Sequence, residues 1–125
     1  MLQGTLVAES IRPGTSLDDL RLVVRQIIRH TPGGTTDGQP AIWTSIYFEA
    51  DDKDAEELAG KLAAVLDSSG WYADLRSDTE TIIVYRGRVI RYPRGDAAGR
   101  AVAMEHGRAQ GKVVDGLELE GSHGL

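Results

Sequence analysis

Cysteine is absent from all 125 residues, which removes disulfides, thiolate metal sites and thiol nucleophiles together. A reducing cytoplasm is the simplest location for such a chain. Histidine is scarce. His30, His106 and His123 lie far apart and match no helical metal-site or zinc-protease spacing. Nucleophile-elbow, phosphate-loop and dinucleotide fingerprints are missing as well, so the sequence assigns no catalytic residue, no metal ligand and no cofactor. Long apolar runs are lacking too, since no stretch approaches the roughly 18 residues of a transmembrane helix. Residues 1–5 carry neither the cationic start nor the apolar run of a signal peptide. The expectation is a soluble domain with no membrane partner.

What is present is ordinary in bulk and uneven in detail. Hydrophobic residues make up 41% and charged residues 26%, and the length suits one domain with a real core. The net charge of −5 is segregated: residues 49–80 carry ten Asp/Glu against three Lys/Arg, whereas residues 81–112 carry seven Lys/Arg against two acids. Segregation of this kind points to head-to-tail contacts or a polar partner, or to two segments that neutralise each other in the fold. The acidic total argues against nucleic acid, which needs positive faces.

Periodicity predicts an α+β domain over residues 1–111, with a tail at 112–125 that is flexible or altered. A strand at 5–11 is followed by a helix capped by Ser16, with Leu17, Leu20, Val24, Ile27 and Ile28 as its buried face. A strand at 42–49 alternates Ile42, Thr44, Ile46 and Phe48 against Trp43, Ser45, Tyr47 and Glu49. A second helix begins at 51–54, buries Leu58, Leu62 and Leu66, and reaches a C-terminal glycine at Gly70. Strands at 71–76, 81–85 and 88–92 come next, the last two joined by a tight turn at Arg86-Gly87. A third helix runs from 96 to 109. The order β-α-β-α-β-β-β-α implies one mixed sheet of about five strands with helices packed on it.

The strand-to-helix junction at 92–100 is the sharpest local feature. Pro93 stops the strand, Gly95 turns the chain and Asp96 caps the helix. Arg86, Arg94 and Arg100 are expected to gather at this corner and engage an acidic protein surface or a small anion. That makes a non-enzymatic interaction or regulatory domain the first reading. The second is a small-ligand binder or enzyme whose pocket joins Tyr72, Asp74 and Tyr92 to those arginines and takes a phosphorylated or carboxylated metabolite. Asp74 is singled out because an acid in mid-strand is disfavoured without a partner. Gly99, Ala103, Gly107 and Gly111 form a small-residue stripe, suited to packing on the chain's own sheet or to a homodimer seam.

The segments W-T at 43–44, G-W-Y-A-D at 70–74 and R-Y-P-R-G-D-A-A-G-R-A at 91–101 resemble a group of small actinomycete proteins without an established activity. The resemblance runs from Trp43 to Arg108 and implies that the junction at 92–100 is a defining feature. Members of that group end in an acidic-aromatic tail, from which residues 112–125 depart.

Overall fold

The structure, a computed structural model, describes residues 1–33, 38–68 and 70–109. Gly111 and the expected tail at 112–125 lie outside them. Six strands form one sheet: β1 (Leu2–Val7), β2 (Leu22–His30), β3 (Trp43–Ala50), β4 (Ala73–Arg76), β5 (Glu80–Tyr85) and β6 (Arg88–Pro93). Two helices, α1 (Ala55–Val65) and α2 (Ala97–Ala109), pack on it. The fold is therefore α+β with helices on a single sheet, and it has one strand more than expected.

Strand order is β2-β3-β1-β4-β5-β6, and every neighbouring pair is antiparallel. β3 and β4 both run antiparallel to β1, so α1 connects two strands that flank β1 without touching each other. The expected mixed sheet is thus an antiparallel one, because the first crossover helix does not exist. Its residues form β2. Four of the nine, Val23, Val24, Ile27 and Ile28, are β-branched, which suits a strand. A β-bulge between Val24 and Gln26 breaks the alternation. The apolar doublets on either side of it imitate helical spacing, which is why the periodicity misleads. Leu17 and Leu20 sit in the preceding loop and pack against the core from there.

The two faces of the sheet are covered by different elements. One carries the larger core, where Leu2, Leu6, Phe48, Leu75 and Ile82 meet Leu58 and Leu62 of α1. The Asp51 carboxylate accepts from the Lys53 backbone N–H at 3.1 Å in the short 3-10 turn before α1. α1 ends earlier than expected. Leu66 turns extended, is fully buried and bridges to Ile11, so Gly70 serves a later turn at φ +80° and not the helix end. On the opposite face Ile83, Tyr85, Ile90 and Tyr92 pack under Ala103 of α2. The Tyr85 hydroxyl donates to the Ala103 carbonyl at 2.9 Å, and burial pushes its pKa up to about 12.

The small-residue stripe of α2 is used up by this packing. Ala103 and Gly107 are buried, and a Cβ on Gly99 would overlap the Cβ of Tyr92. A helix-to-helix seam along these three residues is thereby replaced by contact with the chain's own sheet. Gly60, on the exposed side of α1, has nothing within 4 Å of where its Cβ would stand. Gly60→Ala is expected to raise stability by about 0.5–1 kcal/mol through helix propensity. Gly99→Ala is expected to lower it by about 1–2 kcal/mol, because a strand Cβ cannot rotate away and overpacking outweighs the propensity gain. Urea unfolding of the two variants beside the parent checks both signs; a stabilised Gly99→Ala contradicts this packing.

Candidate ligand pocket

Cross-strand register decides which side chains meet. Thr5 stands opposite Tyr47 on β3 and opposite Asp74 on β4; Val7 stands opposite Ser45, and His30 opposite Trp43. Directly opposed residues share a face. All of these therefore lie on the face that α2 covers only over β5 and β6. With Pro32, Trp71 and Tyr72 they line a partly open cavity of about 180 Å³.

Half of its ten lining residues carry an aromatic ring. The indoles of Trp43 and Trp71 pack at 4.9 Å between centroids, tilted by 52°. The His30 ring stands edge-on to Trp43 at 6.5 Å. His30 Nε2 lies 2.8 Å from Ser45 Oγ, and the Trp43 indole N–H donates to the Pro40 carbonyl at 3.0 Å. Tyr72 reaches back toward Tyr85, with centroids 6.2 Å apart, and so links the pocket to the α2 core. Two polar groups lie deep. Asp74 is only 1% exposed. The buried Thr5 hydroxyl lacks a hydrogen-bond partner among the described residues, a state that buried polar atoms rarely keep unless a ligand or water meets them. No Lys or Arg lines the cavity.

Glu9 braces the start of β3 from the 3-10 turn after β1. Its carboxylate accepts from the Thr44 backbone N–H at 2.6 Å and from the Thr44 hydroxyl at 2.8 Å. Burial alone would raise the Glu9 pKa, but the bonds from Thr44, with a smaller contribution from Arg29, hold it below the usual carboxylate range.

The structure separates the residues that the sequence grouped. Arg86 is exposed at the β5–β6 hairpin, whereas Arg94 follows the other end of β6. Pairing of Tyr85 with Arg88 and of Glu80 with Pro93 fixes those opposite ends. Five strand steps, about 17 Å, separate the ends of β6. Arg86 therefore cannot join Arg94 and Arg100, and the expected three-arginine corner is reduced to two. Asp96 does sit at the start of α2, accepting from the Ala98 backbone N–H at 3.3 Å, and Gly95 turns at φ +80°. Tyr72 and Asp74 line the pocket together, as proposed for the second reading. Tyr92 does not: it lies two strands from β4, beneath Gly99.

Thr5, Val7, His30, Ser45 and Tyr47 were not anticipated as site residues. The signal for part of this set was the second face of β3, where Trp43 and Tyr47 alternate with the core residues. Among the described residues no group of three His, Asp or Glu is placed to hold a metal ion, and no helix is long and apolar enough to cross a membrane. No protein-family model matches the chain, and searches of curated proteins and of solved structures return no match either.

Glu9 and Asp54, whose carboxyl is held low chiefly by a hydrogen bond from Arg21, both contribute to the acid response of the fold. Both folded values lie below the unfolded ones, so their contribution is complete above about pH 4 to 5 and is lost as pH falls further. Acid titration followed by tryptophan emission is expected to show Trp43 becoming wetter below pH 4. In Glu9→Gln that change is expected to shrink; an unchanged profile contradicts the bracing role.

Proposed function

We propose that this domain is a non-enzymatic binding module for a small organic cation carrying a single ring. The observation that carries the reading is the composition of the cavity: four Trp or Tyr side chains and one carboxylate, with His30 but no Lys or Arg in the lining. Aromatic faces are the negative side of the ring quadrupole, and with a carboxylate they attract an ammonium group. Size limits the ligand. A cavity of about 150 Å³ admits benzene, so 180 Å³ suits one ring with a short substituent and not a nucleotide. Arg76 lies on the same sheet face two residues beyond Asp74, outside the lining. Arg76 is buried, at 4% exposure, and its charge opposes a bound cation, but Coulomb energy falls off with distance, which favours Asp74 in the lining over an arginine outside it.

Both tryptophans of the chain belong to this pocket, so intrinsic fluorescence reports its occupancy directly. Benzylamine, benzyl alcohol and benzoate keep one ring and differ in charge. Titration is expected to give saturable quenching strongest for benzylamine and weakest for benzoate, with the benzylamine effect reduced at least tenfold by Asp74→Asn. Equal responses to all three, or a preference for benzoate, contradict the reading.

A second reading assigns the junction at Gly95 to an acidic partner or a small anion. It is supported by Arg94 and Arg100, neither of which joins an ion pair among the described residues, beside a shallow depression formed with Ala97, Ala101 and Met104. Arg91, by contrast, is neutralised by Glu80. Inorganic phosphate that perturbs Gly95 and Arg100 amides in the parent, and not in the Arg94→Ala/Arg100→Ala double variant, is the outcome this reading requires.

A further inference from the structure

The two edges of the sheet are managed differently. β6 is blunted: Arg88 is exposed, Arg91 is tied to Glu80, and Pro93 has no N–H to offer. β2 has no such protection against pairing. It is nine residues long, contains no proline, and exposes Val23 by 53%, Val24 by 47%, Ile27 by 60% and Ile28 by 36%. A long apolar edge of this kind is a template for another strand. Its arginines do not repel a partner strongly. Arg25 donates to Glu49 of its own chain at 2.6 Å, and Arg29 lies within electrostatic reach of Glu9.

The bulge makes this edge complementary to itself. Val23 opposes Glu49 and Ile28 opposes Ser45, so both lie on the pocket face; Val24 opposes Phe48 and Ile27 opposes Ile46, so both lie on the α1 face. In an unbroken strand Val23 would share a face with Ile27 instead. An antiparallel pair about a twofold axis normal to the sheet keeps each face aligned with itself. Placing that axis between Arg25 and Gln26 sets Val23 against the partner's Ile28 and Val24 against the partner's Ile27. The symmetry repeats both pairs, giving four apolar cross-strand contacts with no arginine directly opposite another.

We infer that two copies of this chain associate through β2, antiparallel and in this register, to form one continuous twelve-stranded sheet. The blunted β6 edge ends growth at the dimer. A strand about 30 Å long and about 10 Å deep buries roughly 300 Å² on each side, less than half of a standard interface. The dimer therefore dissociates on dilution.

The absence of native cysteine makes the register directly testable. Under oxidation, Val23→Cys/Ile28→Cys is expected to give a disulfide-linked dimer in high yield, since each introduced thiol faces the other kind across the axis. Val23→Cys alone is expected to stay unlinked, because its copies lie about 17 Å apart in this register. Sedimentation of the parent is expected to show a monomer–dimer equilibrium, and Ile27→Lys a monomer with unchanged melting temperature. A parent that stays monomeric up to millimolar concentration, one that grows beyond the dimer, or a single-cysteine variant that links as readily as the double overturns the proposal.

Discussion

Hydrogen bonding of β1 to β3 on one side and β4 on the other is the constraint on which the rest of the molecule depends. Thr5 meets both Tyr47 and Asp74 because of it. Without that central strand, the aromatic face of β3 and the carboxylate of β4 would belong to separate surfaces. The same placement makes α1 span two strands that do not touch, laying the helix over Leu2, Leu6 and Leu75 as one apolar face. Core and pocket are thus two sides of a single pairing decision.

The sheet faces then divide the work. α1 closes one face with aliphatic side chains. On the other, α2 sits over β5 and β6, close enough to Tyr92 that only a glycine fits at position 99. Its reach is limited, and the β1–β3 part of that face carries Trp43, Tyr47 and Ser45 instead. Aromatic side chains there gain from partial burial while offering polarisable faces to a guest. The Glu9–Thr44 contact and the Trp43–Trp71 contact hold the walls in place, which would lower the ordering cost of the proposed binding.

Local signals in the sequence were read correctly where one rule acted alone. The alternation in β3 separated Ile46 and Phe48 from Trp43 and Tyr47, Gly87 marked the hairpin, and Asp96 marked the start of α2. They failed where a distortion mixed two periods. The doublets Val23-Val24 and Ile27-Ile28 flank the bulge at Arg25, a pattern that fits a helix face as well as a bulged strand. Strand order was not legible at all, since β1 reaches β4 across more than sixty residues of chain. Tyr72 and Asp74 therefore meet Thr5, which no local pattern links to them, and not Tyr92 and the arginines two strands away. The distance from Arg86 to Arg94 was in principle readable: a hairpin turn and a strand end are opposite ends of β6 by construction.

The central claim is that the cavity over β1, β3 and β4, and not the junction at Gly95, is where this domain meets its ligand. Amide and indole N–H resonances recorded during addition of benzylamine test it most directly. The account predicts shifts in both indole signals and in the amides of Thr5, Ser45, Tyr72 and Asp74, while those of Gly95 and Arg100 stay still. Shifts confined to the Gly95–Arg100 segment, or indole signals that do not move at saturating amine, would contradict it.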